Sequence, residues 1–184
     1  NLWKISQSSI LLDSSAIAIN KLYISSNEHY YLVDGTVSKD PADTLHLEFN
    51  GIDITPLNYL GNQENYNDQN KIHPDFKGSL NGKILLTNVY SDILLESNIN
   101  VNNFSLLGSD YGNISIVSAW DKAKKVIKIN ASNDLSGIKM FDVAGIYDPA
   151  TKKINIIANT SNLPLGFLNP LLKVFASDIS GSAS

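Results

Sequence analysis

Cysteine is absent from the 184 residues, which excludes a disulfide scaffold, a thiolate metal site and a cysteine nucleophile together. Its absence is compatible with an oxidising compartment. Charge is scarce as well: Asp, Glu, Lys and Arg make up 17% of the chain, against about a quarter in an average soluble protein. The net charge of −4 and a pI near 5.2 leave no basic stripe, so no nucleic-acid partner is expected. Histidine occurs only as His29, His46 and His73, and no two of them have the close spacing of a metal pincer. The string Asn67-Asp68-Gln69-Asn70 lacks the glycine and the terminal glutamate of a calcium loop. A Gly-x-Ser-x-Gly elbow, a phosphate loop and a dinucleotide fingerprint are all missing. Asp40, Asp43, Asp110, Asp121 and Asp148 fall in turns, where Asp has a sufficient local reason to be. No catalytic residue, metal or cofactor is therefore expected, and the chain reads as non-enzymatic.

Asn and Ser stand where the charge is missing, and between them runs period-two alternation. Leu45, Leu47 and Phe49 alternate with His46 and Glu48; Ile114 and Ile116 flank Ser115; Ile127 and Ile129 flank Lys128. Alternation of this kind puts one set of side chains on a dry face and the other in water. Further strands are expected at Ser9–Leu12, Ala16–Ile19, Leu22–Ser25, Tyr30–Val37, Gly82–Val89, Ile93–Leu95, Ile99–Val101, Phe104–Leu107, Met140–Tyr147 and Lys153–Ala158. The breaks carry turn chemistry, as in Asp40-Pro41-Ala42, Gly108-Ser109-Asp110-Tyr111-Gly112 and Asp148-Pro149-Ala150. Many short strands of about 5–6 residues joined this way predict antiparallel meanders and an all-β fold.

Thr55-Pro56 and Asn169-Pro170 each place a capping residue before proline, so one or two short capping helices are expected. The segments 33–82 and 143–181 share a strand, a glycine, an Asp-Pro-Ala turn and a second strand. Such approximate repeats favour an elongated sheet over a closed globule. The polar loop 61–75 reads as a surface excursion. The abrupt ends at Asn1 and Ser184 suggest that 1–184 is a single fragment of a longer repetitive β-protein. Open sheet edges would then let an excised fragment self-associate.

The stretch IAINKLYISSNEHYYLVDGTVSKDPADTLHLEFNGIDITPLN, from Ile17 to Asn58, together with Phe76–Gly82 and Asp178–Gly181, resembles TamB-like and AsmA-like bacterial envelope proteins of the Bacteroidetes type. The resemblance covers most of the chain through the order of degenerate β motifs. It implies an elongated, curled antiparallel sheet, a β-taco-like trough, in a periplasmic protein whose inner-membrane anchor lies outside this chain. It further implies a hydrophobic groove for phospholipid acyl chains bound for the outer membrane, or help with outer-membrane assembly beside a barrel protein partner. The inward positions expected on that basis are Leu45, Leu47, Phe49, Ile114, Ile116, Ile127, Ile129, Ile154 and Ile156. The alternative is a β-rich binding module without catalysis, for glycans or an outer-membrane protein, using aromatics such as Trp3, Tyr23, Tyr30, Tyr31, Tyr90, Trp120 and Tyr147.

Overall fold

In the computed structural model, which describes residues 2–59, 75–161, 163–164 and 182–183, the alternating runs are strands. They are β1 (Lys4–Ile5), β2 (Ser9–Leu12), β3 (Ala16–Ser26), β4 (His29–Ser38), β5 (Thr44–Asp53), β6 (Phe76–Thr87) and β7 (Leu94–Leu106). Then come β8 (Ser109–Asp121), β9 (Val126–Asp134), β10 (Phe141–Asp148) and β11 (Lys153–Thr160). These eleven strands make one open antiparallel sheet in chain order, with β1 and β2 end to end along the outer side of β3. The short strands β12 (Leu163–Pro164) and β13 (Ser182–Ala183) pair with each other.

The strands are longer than expected. From β3 to β11 they run from eight to thirteen residues, about 25–45 Å at ~3.3 Å per residue. The three short runs expected between Ile93 and Leu107 are one strand, β7, because Asn98, Asn100 and Asn102 take the wet positions of an alternation that carries the chain through both gaps. The break expected over Gly108–Gly112 is also narrower. Leu107 and Gly108 turn the chain with φ of 54° and 77°, both left-handed, which matches the twist of the flanking strands. Ser109 onward already belongs to β8. Of the capping helices, Thr55-Pro56 opens a single 3₁₀ turn, Thr55–Tyr59; the Asn169-Pro170 site lies outside the described residues. Asp53 Oδ1 starts that turn by accepting from Thr55 N at 2.9 Å. The first halves of the two similar segments are hairpins, β4–β5 and β10–β11, whose Asp40 and Asp148 carboxylates accept from Ala42 N and Ala150 N.

Bulges recur along the sheet, and the β6–β7 pair shifts register beside the bulge in β7 as well. Between β3 and β4, β5 and β6, and β7 and β8, one extra residue enters the first strand of the pair. In each case a residue with positive φ, namely Lys21, Gly51 or Asn103, turns its N–H onto a side chain of the next strand. The acceptors are Asp34 Oδ1 at 2.9 Å, Asn81 Oδ1 at 2.8 Å and Asn113 Oδ1 at 3.1 Å. The next alternate pair, β9 with β10, ends on buried Asn133, whose Oδ1 accepts from Met140 N and Phe141 N, both at 2.9 Å. Bulges strengthen local twist, so a regular series of them coils the sheet progressively while the flanking residues keep their faces.

The wet face carries its own tie. Tyr30 Oη donates to Glu48 Oε1 at 2.6 Å, and Lys83 Nζ lies 3.2 Å from Oε2, joining β4, β5 and β6. The Tyr30 hydroxyl first, and then Lys83, hold the Glu48 carboxyl below its ordinary range against the effect of partial burial. The folded value is the depressed one, so ionised Glu48 supports the fold fully above the ordinary value of 4.5. That support is lost as pH falls from there through the depressed value. Glu48→Gln should therefore flatten the acid limb of a stability profile, read as urea midpoints between neutral pH and about pH 3. An acid limb of unchanged slope would show that the tie contributes nothing.

Candidate functional site: an apolar trough

Cross-strand partners of an antiparallel sheet share a face, so the registers trace rows of side chains across the molecule. One row runs Ile5, Ile24, Tyr31, Phe49, Gly82, Ile99, Ile116, Ala131, Val143, Ala158. The next runs Leu22, Val33, Leu47, Ile84, Ser97, Ser118, Ile129, Gly145, Ile156. Leu45 pairs with Leu86, Val101 with Ile114, Trp120 with Ile127, and Tyr147 with both Ile127 and Ile154. All nine positions expected to point inward, Leu45, Leu47, Phe49, Ile114, Ile116, Ile127, Ile129, Ile154 and Ile156, thus fall on one face. The opposite face carries residues such as Asn98, Asn100, Ser115, Lys128, Asn130 and Ser132.

The apolar face is the concave one. Ile52, Val101, Ile127, Ser118 and Asn133 are buried, and all five sit on it. In a single layer side chains are crowded out of water only on the inside of a curve. At one end Leu106 and Tyr111 pack with Phe76, Phe104, Met140 and Phe141, and Phe104 lies 6.4 Å from Phe76 and 6.0 Å from Tyr111 between ring centroids. Those residues come from β6, β7, β8, β10 and the link before β10, and β6 and β10 would stand ~19 Å apart in a flat sheet. At the other end Ile93 and Leu95, beside the β6–β7 loop, line a cavity of about 360 Å³ with Ile127, Ile129, Tyr147, Pro149 and Ile154. The curl thus brings non-neighbouring strands onto common space at both ends.

Between these ends the face is open among the described residues. Leu45, Leu47, Phe49, Ile114, Ile116 and Ile129 are half-buried, while Ile154 and Ile156 are 56% and 55% exposed. Among the described residues no α-helix and no second sheet of comparable extent covers it. Its floor holds few polar groups, and those are satisfied: Ser97 Oγ and Ser118 Oγ are 2.9 Å apart, and Asn133 Nδ2 donates to Tyr111 O at 2.9 Å. On the outer face a hollow of about 430 Å³ lies beside His46, Glu48, Lys83 and Glu96, and there Glu48 and Lys83 pair with each other.

No family model, curated protein or solved structure matches this chain. What it can do must come from its own surfaces.

The aromatics divide between the two faces. Trp3 meets Tyr31 at 5.6 Å and Tyr31 meets Phe49 at 6.1 Å along the trough, whereas Tyr23 and Tyr30 meet at 5.2 Å with tilted rings on the outside. Tyr31, Leu95, Trp120 and Tyr147 also belong to the trough, though none was among the nine positions expected to point inward. The signal for them was the same parity carried one step further along each strand. His29 and His46 are exposed and His46 contacts Thr44; His73 lies outside the described residues. Among the described residues no three His, Cys, Asp or Glu side chains gather as a metal site. A concave apolar strip without convergent titratable groups suits a flexible, non-polar occupant.

Proposed function

We propose that this chain is a segment of a TamB/AsmA-like bridge in the bacterial envelope, and that its trough shields phospholipid acyl chains on their way to the outer membrane. The observation that carries this is an apolar face continuous across all eleven strands and uncovered among the described residues. The order of motifs from Ile17 to Asn58 supports the same assignment. An acyl chain has no hydrogen-bonding needs, so a trough lined by Ile, Leu, Val and Phe holds it by removing methylenes from water, at about 0.8 kcal/mol each. Such binding is unspecific in register, which permits a chain to slide along the strip. Outer-membrane assembly beside a barrel protein remains the same bridge in a second role.

Native mass spectrometry and solvent extraction of the chain purified from bacteria test this. Phospholipid should accompany the protein, and a delipidated sample should take up a fluorescent fatty acid. Protein free of lipid that also refuses the fatty acid would overturn lipid carriage.

A further inference from the structure

We infer that the two edges of the sheet are docking surfaces for each other, so that copies of this chain join head to tail and their troughs run on as one. This goes beyond lipid carriage and holds whatever the trough contains.

The first ground is that, among the described residues, no strand, helix or bulge covers either edge. Soluble proteins blunt an exposed edge with proline, a bulge or an inward charge. β11 pairs with β10 without a register break and has no proline and no charge between Lys153 and Thr160. β2, with the sequence Ser-Ile-Leu-Leu, has none either. Ile10, Leu11, Leu12, Ile154, Ile156 and Ile157 are each at least 50% exposed, so both edges show apolar side chains on both faces.

The second ground is direction. Every neighbouring pair is antiparallel, so β11 runs with β3 and against β2. When a second copy is laid alongside in the same orientation, its β2 meets β11 antiparallel, and the apolar faces of both copies are on one side. No inversion is needed, and the alternation of strands continues unbroken.

The third ground is register. Placing Ile154 opposite Leu12 and Ile156 opposite Ile10 of the next copy aligns trough residues with trough residues. That same register sets Lys153 opposite Asp13, a cation against an anion at the end of the ladder. An exposed pair of this kind adds little energy, but it disfavours neighbouring registers, while backbone hydrogen bonds and apolar rows provide the affinity. A head-to-tail contact does not saturate after two copies.

The whole 184-residue chain is tested by size-exclusion chromatography with light scattering over a hundredfold range of concentration. A series of masses at multiples of the monomer is expected. Ile156→Lys blocks one edge and Ile10→Lys the other, at exposed positions where circular dichroism should verify an intact fold. Each variant alone should be monomeric, and an equal mixture should give a dimer containing one of each, because each retains the edge that the other lacks. Overturning results are a wild-type chain that stays monomeric throughout, or either variant still associating with itself. The latter would mean like-with-like edge pairing or contact through the apolar faces. Lipid content is read separately by extraction, so failure here and failure of lipid carriage are told apart.

Discussion

Gly82→Ala should destabilise the protein by about 2–6 kcal/mol, the sum of a strained backbone and an overpacked contact. Gly82 lies in β6 with φ of 141°, and a β-carbon built there would stand 2.2 Å from Asn98 O and 2.8 Å from Ile99 Cα. Both are backbone atoms of the neighbouring strand, so relief requires moving the β6–β7 ladder itself. The position also follows Asn81, whose side chain holds the bulge at Gly51, and the two disturbances would add. Whole domains are stable by only about 5–15 kcal/mol, so the loss consumes much of the margin. The comparison is Gly145→Ala, also on the concave face, where the nearest atom to a new β-carbon is at an ordinary 3.6 Å. Urea unfolding should show a large drop in midpoint for the first and little change for the second. Equal midpoints for the two variants would mean that the close approach at Gly82 is not structural.

Ile116→Asp combined with Ile129→Asp should abolish lipid co-purification and weaken fatty-acid uptake by more than tenfold, about 1.4 kcal/mol or more. Both residues are half-buried on adjacent rows of the trough, where an acyl chain laid along the strip would cross them. A carboxylate there keeps its water only by excluding the chain, and an ion buried beneath methylenes without a partner is costly. The control is Val117→Asp, between Ile116 and Ser118 on the outer face and 40% exposed, which should leave uptake unchanged. Equal losses from inner and outer substitutions would point to general destabilisation and against a trough that holds lipid. Retained uptake by the inner variant would place the lipid elsewhere.

The residues themselves settled which side chains share a face. Leu45, Leu47 and Phe49, or Ile127 and Ile129, are assigned to one side by the two-residue repeat of an extended chain, a local property that needs no tertiary knowledge. Strand ends were harder to read. The Asn-rich interior of β7 looked like a series of breaks, because Asn is a turn residue in one setting and a water-facing strand residue in another. Gly108–Gly112 looked like a long loop for the same reason. The breaks expected at Asn20-Lys21 and Asn102-Asn103 fall on two of the bulges, but the left-handed conformation of Lys21 and Asn103 inside continuous strands was not legible, since it comes from Asp34 and Asn113 on the neighbouring strand and so depends on pairing.

Alternation in the sequence thus determined a long antiparallel sheet with one dry and one wet side. Only the tertiary structure decided that the dry side is the inside of a curve and, among the described residues, is left uncovered between its two ends. The reason is that apolar periodicity records which groups avoid water, whereas curvature is a collective sum of strand twist and bulges accumulated over eleven strands. Whether such a face becomes a core or a trough depends on what lies across from it, and no single strand carries that information.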